Sequence, residues 1–318
     1  MTDTTALTPQ EVADILRIAK NTVYELIKRG ELNGYRVGKK VRVDLQDVEE
    51  YKNRTKQARP SAPESPGAAS GLRQIPQYHE SASIGNFIIC GQDALLDILS
   101  RYLEAHSNGT RALRSYIGSY NGLYALYQGK VHVASAHMWD SETNTYNVPY
   151  VSKMLPGVPA MVINLASRTQ GFYVAKGNPK NIRTWKDLAR EGVSIVNREK
   201  GSGVRILLDE HLRKLRILPR DINGYDREYS SHLAIASAVA RGEADAGIGN
   251  EKTGLQVPEI DFIPLQKENY DLIMKKEDQD KPVFQAIIEI IRSKEFITEL
   301  KGLGGYDVAK TGQIIAET

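Results

Sequence analysis

Between Asn53 and Gly71 the chain loses its apolar periodicity, and Pro60, Ser61, Pro63, Ser65, Pro66, Gly67, Ala68, Ala69 and Ser70 crowd a stretch that has little to bury. No single core can form across it. The sequence therefore reads as a small head over 1–54, a Pro/Ser/Ala/Gly linker over 55–77, and a body over 78–318 long enough for an extensive core. At 41% hydrophobic residues in a chain of 318, neither a disordered nor a fibrous protein fits. The start carries no basic stretch followed by an apolar one, and no run approaches the roughly 18 apolar residues of a membrane span. The expected location is the cytoplasm, with no membrane partner. The one cysteine, Cys90, cannot form an internal disulfide, which agrees with a reducing compartment; at the end of an apolar run, it reads as a buried strand thiol.

In the head, Thr8-Pro9-Gln10-Glu11 is a helix start in which Thr8 caps, Pro9 suits the first helical position and Glu11 closes the capping box. Val12, Ala13, Ile15 and Leu16 supply an apolar face. A second helix is expected from about Lys20 to Arg29, with Val23, Leu26 and Ile27 buried and Gly30 as its stop. Around Gly38-Lys39-Lys40, residues 35–37 and 41–43 alternate like two strands of a hairpin, and a third helix is expected over 45–51. The net charge of +3 is too small to argue for nucleic acid, but its distribution is informative. From Lys20 to Arg42 seven Lys or Arg stand against Glu25 and Glu31. Lys20, Asn21, Thr22, Tyr24 and Lys28 should face solvent on the second helix, able to reach base edges or phosphates, with Arg36, Lys39, Lys40 and Arg42 beside them on the hairpin. The bland alternative is a three-helix protein-interaction module with an ordinary basic face.

In the body, strands expected over 84–90, 131–135, 160–166, 172–175 and 193–196, and near Ala246 and Phe262, alternate with helices over 94–102, 204–214 and 231–241. Two more helices follow near the end. This alternation predicts an α/β architecture with mainly parallel sheets, whose ligands bind in loops after strands. Four such loops open helices: Cys90-Gly91-Gln92-Asp93, Gly118-Ser119-Tyr120-Asn121-Gly122, the glycine-rich stretch from Asn197 to Arg205, and Tyr229-Ser230-Ser231-His232. Free amides and the positive end of a helix dipole hold anions there. The third loop lacks the Gly-Lys-Ser/Thr of a phosphate-binding nucleotide loop, and there is no Gly-x-Ser-x-Gly nucleophile elbow. His137 follows a strand, but His132 falls on the opposite strand face, so the two do not form a metal pair. No metal, cofactor or catalytic residue is expected.

Residues 7–16 with 22–32 resemble the excisionase or MerR-type winged helix-turn-helix, from which Ala19 departs where that family has a capping serine. In the body, Gly118 to Leu123, Ser135-Ala136-His137, residues 146–151, Asn164 to Gly171, Lys176 to Lys180, Val196 to Arg205, Ala244 to Gly249 and Leu303 to Asp307 resemble a periplasmic-binding-protein-like domain often fused to such heads. That family is similar to molybdate-binding proteins. The resemblance implies a type 2 binding-protein fold of two α/β lobes joined by two crossover strands, here lobe one over 78–167 and 268–318 and lobe two over 168–267. The ligand would sit between the lobes against Gln92, Asp93, Ser119, Asn121, His137, Arg168, Arg198, Ser202, Gly203, Arg205, Ser231 and His232. The whole reads as a homodimeric transcriptional regulator that binds double-stranded DNA and senses a small anion, molybdate or tungstate or a small organic acid. A constitutive DNA-binding protein with a vestigial cleft, or an enzyme acting on a small anion, are the alternatives.

Overall fold

The computed structural model describes residues 6–16, 18–28, 32–38, 40–56 and 86–318, and the chain divides into two compact units, Met1–Pro76 and Gln77–Thr318. The expected linker over 55–77 beyond Lys56, the second helix's end at Arg29 and Gly30, Lys39 and the first residues of the body lie outside the described residues, while Thr55 and Lys56 belong to the third helix.

In the first unit the capping box forms as expected: the Thr8 amide donates to Glu11 Oε2 at 2.6 Å and the Glu11 amide to Thr8 Oγ1 at 3.3 Å. It opens helix Pro9–Leu16, which packs on helix Lys20–Lys28. Because Ala19 has no side chain to cap with, only its carbonyl holds the second helix's start, accepting from the Thr22 amide at 2.9 Å. Strands Tyr35–Val37 and Lys40–Asp44 pair antiparallel, and a third strand that sequence reading missed, Ala6–Leu7, flanks the hairpin. Two residues give no measurable period, which is why it was missed. Helix Leu45–Lys56 runs a turn past its expected end. Val12, Ala13, Val23, Leu26, Leu32, Val43 and Val48 form the core.

The second unit is built on a sheet of seven strands. Phe87–Cys90 lies parallel to Ala112–Ser115 and to Val133–Ala136, but the remaining pairings are antiparallel, so the expectation of mainly parallel sheets is corrected to a mixed sheet. The reason is a pair of long strands, Ala160–Ala175 and Ile260–Lys275, that run antiparallel beside each other through both lobes. Sequence reading split the first into 160–166 and 172–175, because the polar run from Ser167 to Gln170 looks like a turn. The partner strand covers that run instead, with Arg168 opposite Glu268 and Ser167 opposite Asn269. Register shifts at Pro264/Gln266 and Tyr270/Asp271 bracket it and let the ribbon bend where the lobes meet. The strand expected over 193–196 is reduced to single bridges at Ser194 and Ile195, followed by the short strand Asn197–Arg198.

Each lobe has its own apolar interior. Leu95, Leu96, Leu99, Met161, Ile163, Leu272, Ile287 and Phe296 fill one side of the first lobe's sheet and Leu123, Leu126, Val162 and Ile273 the other; Phe172, Ile195, Leu208, Ile235 and Val239 belong to the second. The lobes also touch away from the bend. The His211 ring, on helix Gly203–Leu215, is sandwiched between Trp139 of lobe one at 4.4 Å and Trp185 of lobe two at 4.1 Å. Beside it Ser141 Oγ donates to Glu210 Oε2 at 2.5 Å, and His211 Nε2 meets Gln266 Oε1 at 2.7 Å.

Candidate functional site

A cavity of about 220 Å³ lies where the lobes face each other, and most of its wall comes from the starts of helices. Lobe one contributes Gln92 and Asp93, ahead of helix Leu95–Ala105, and Ser119, the first residue of helix Ser119–Tyr127. His137, just past strand Val133–Ala136, lies beside them. Lobe two contributes Ser202 and Gly203 at the start of helix Gly203–Leu215, and Ser231 and His232 at the start of helix His232–Ala240. Arg168 reaches in from the crossover strand. These expected residues are brought together on one space.

Helices beginning at Ser119, Gly203 and His232 carry no acidic residue in their first turns, although that is where acidic side chains are most stabilising. No carboxylate of the same turn therefore takes up the dipole ends or the first amides of these helices. The serines there take a backbone proton on their own oxygens: Ser119 Oγ accepts from the His137 amide at 3.3 Å, Ser202 Oγ from the Arg205 amide at 3.2 Å, and Ser231 Oγ from the Ala234 amide at 3.1 Å. Each keeps its hydroxyl hydrogen to donate. The lobes approach closely at this point. A Cβ on Gly203 would fall 2.6 Å from the His137 ring, and Gly201, at φ 90°, accepts the Tyr120 amide of the opposite lobe at 3.0 Å.

The charged groups of the cavity are already engaged. Buried Arg168 donates to Asp93 through Nη1 and to Glu268 through Nε, and lies 4.6 Å from the Tyr270 ring centre. Glu268 also accepts from Gln170 Nε2 at 2.7 Å and meets His137 Nδ1 at 2.9 Å. Burial alone would raise the Glu268 carboxyl, but Arg168 and His137 together hold it down at about 2. Asp93 Oδ1 accepts from the Leu95 amide at 2.8 Å and from the Tyr306 hydroxyl at 2.9 Å.

Three expected contacts fall elsewhere, and these are corrections. Arg205 is buried under Tyr225, its guanidinium carbon 3.9 Å from the ring centre; two residues beyond Gly203 on a helix, it must face away from a space that Gly203 lines. Arg198 is held outside the wall by Glu199 at 2.8 Å, by Gln92 Oε1 at 2.5 Å and by the Tyr229 and Ser230 carbonyls. Asn121 supports the loop at Gly201. Sequence reading missed Lys252, Tyr270, Tyr306 and, behind the wall, Glu268. Lys252 follows strand Ala246–Asn250, so the rule that found the other loops would have found it. Tyr306 lies in the tail motif already noted but not assigned. Lys252 links the two, its Nζ donating to the Leu303 carbonyl at 3.1 Å and lying 4.7 Å from the Tyr306 ring centre.

On the first unit Lys20, Asn21, Thr22, Tyr24 and Lys28 are exposed along helix Lys20–Lys28. Lys20 and Tyr24 line one surface groove together with Lys40 and Arg42 of the hairpin. Arg36 is placed by its backbone alone, in strand Tyr35–Val37, and Lys39 lies outside the described residues. Among the described residues no group of three or more His, Cys, Asp or Glu is arranged to hold a metal, and no helix is long and apolar enough to cross a membrane.

A family model described as a PBP superfamily domain matches residues 100–292. The chain belongs to the PBP superfamily. A helix-turn-helix domain model matches residues 6–56 of this PBP superfamily member, so an excisionase-like DNA-binding head is joined to a two-lobed binding fold. The chain is 44% identical over the full length of both chains to the uncharacterized protein YvgK of Bacillus subtilis (strain 168). It is 62% identical over 112 residues, 35% of this chain and 99% of the relative, to an uncharacterized protein in the ferredoxin 2Fe-2S gene 5' region of Clostridium pasteurianum. Among solved structures, a phosphate-bound putative phosphate ABC transporter substrate-binding protein of Clostridium perfringens matches at TM-score 0.52 and 14% identity, covering 70% of this chain and 99% of that one. Corynebacterium glutamicum OxyR matches at TM-score 0.50 and 13% identity, covering 93% and 89%. These likenesses concern the fold.

Proposed function

We propose that this protein is a cytoplasmic transcriptional regulator, not an enzyme, that binds double-stranded DNA as a homodimer and senses a small anion in the cavity between its lobes. The observation that carries the reading is the meeting of three helix starts, each free of acidic first-turn residues, on one cavity with serine hydroxyls to donate. Such a wall offers many donors and few open acceptors, which suits a fully ionised oxyanion, with molybdate or tungstate as the leading choice. Occupancy would stabilise the closed lobes and change the spacing of the two heads, and a ligand shifts that balance only by its differential affinity for the two arrangements. A small organic acid is the second reading, and the volume favours it: about 220 Å³ is the space of about seven waters, more than a bare tetrahedral anion fills. Calorimetric titration with molybdate, tungstate, sulfate and small carboxylates, followed by affinity for a selected DNA duplex with and without the tightest of them, tests both halves. No binding by any anion sinks the sensor; binding that leaves DNA affinity unchanged sinks the regulator.

A further inference from the structure

We infer that His232 takes up one proton when a doubly charged anion fills the cavity, and that it thereby selects dianions over monoanions. The inference rests on the anion reading above. His232 lines the cavity at the first position of its helix, and its Nδ1 is shut off from solvent with no hydrogen-bond partner among the described residues. A buried ring nitrogen left unpaired is a standing penalty, which an occupant within its reach would relieve.

The charges around it explain why the ring is neutral before binding and protonated after. Arg168 from the crossover strand, Arg198 from strand Asn197–Arg198 and Lys252 from the turn after strand Ala246–Asn250 face Asp93, Glu199 and Glu268, with His137 bonded to Glu268 besides, so the charges around the ring come close to balance. Burial, then Arg198, Arg168 and His137, hold His232 well below its ordinary pKa, which leaves it uncharged near neutral pH. A dianion adds two negative charges to this balanced space, and each helix start offsets only about half a charge. Lys252 is engaged with the Leu303 carbonyl and the Tyr306 ring, and His137 is bonded to Glu268. His232 is the basic group left to respond, and the anion raises its proton affinity. The proton comes from solvent, and the charged ring then has a donor at each nitrogen. A monoanion exerts half the field, and the helix starts suffice.

Tungstate and perrhenate, tetrahedral anions of matched shape that differ by one charge, separate these cases in full-length protein. Calorimetry in two buffers of different ionisation enthalpy counts the protons. Tungstate is expected to bind with uptake of close to one proton, its Kd rising about tenfold per pH unit from about pH 7 to about pH 8.5; perrhenate is expected to bind with no uptake and no pH dependence. In H232Q, and in H232N should the first fold poorly, tungstate uptake disappears and the preference for tungstate over perrhenate shrinks about tenfold or more. Tungstate binding without a proton in the wild type, or uptake that persists in the variants, overturns the inference and leaves the anion reading standing. Binding of neither anion removes both.

Discussion

The head's second helix and the body's cavity both suit a negative partner, by opposite means. On the helix, Lys20 and Lys28 stand exposed, with Lys40 exposed on the hairpin beside them. In the cavity, the deepest cation, Arg168, is locked between Asp93 and Glu268, and the starts of helices face the space instead. Exposed cations act at long range and are screened by salt, whereas amides act at contact in a space where salt hardly enters. The comparison teaches that the count of basic residues predicts where a polyanion such as DNA binds, but says little about where a small anion does.

The largest effect should come from Arg168→Met, which removes from Asp93 and Glu268 the one guanidinium they share in the interior. The body is expected to lose about 3–5 kcal/mol, read as a fall in its denaturant midpoint. An unchanged midpoint would mean that the cavity's cation is no more committed than the head's lysines. Asp271 sharpens the buried side of the contrast. Its carboxyl accepts from Asn147 Nδ2 at 2.7 Å and Asn164 Nδ2 at 2.8 Å, and burial raises it from 3.8 to about 6. The raised group is fully stabilising below its unfolded pKa and loses that contribution as pH climbs through the folded one. Between about pH 4 and about pH 7 the wild type should lose about 3 kcal/mol relative to Asp271→Asn. Parallel pH profiles would show that this carboxyl does not titrate in that window.

The exposed side is tested with salt. Neutralising about four phosphates through Lys20, Lys28, Lys40 and Arg42, the head should bind DNA about a hundredfold more weakly at 200 than at 50 mM, and Lys40→Ala should reduce the slope of log K against log salt by about one. Tungstate affinity in the cavity should change less than about threefold over the same range. Equal slopes would erase the distinction. The smallest effect is expected from Ser231→Ala, which removes a helix cap and costs about 1 kcal/mol of stability.

What the sequence made legible was local. Strand, glycine or serine, then helix is a contiguous pattern, and it located four of the loops that reach the cavity wall. The capping box at Thr8 and Glu11 and the solvent face of the head's second helix were legible for the same reason. Pairings across the chain were not. Nothing in the run Ser167 to Gln170 says that it lies flat in a strand, because the reason is Glu268, a hundred residues later, directly opposite Arg168. Arg205 was misplaced by treating a charge near a helix start as a charge at the start; the helical period already turned it away.

The sandwich of His211 between Trp139 and Trp185 carries a practical consequence, since these are the two tryptophans of the chain. Indole emission from the whole protein therefore reports from one spot, where one lobe abuts the other. Any parting of the lobes separates one fluorophore from an imidazole quencher while the other stays, so an unlabelled sample has an optical gauge of its own opening.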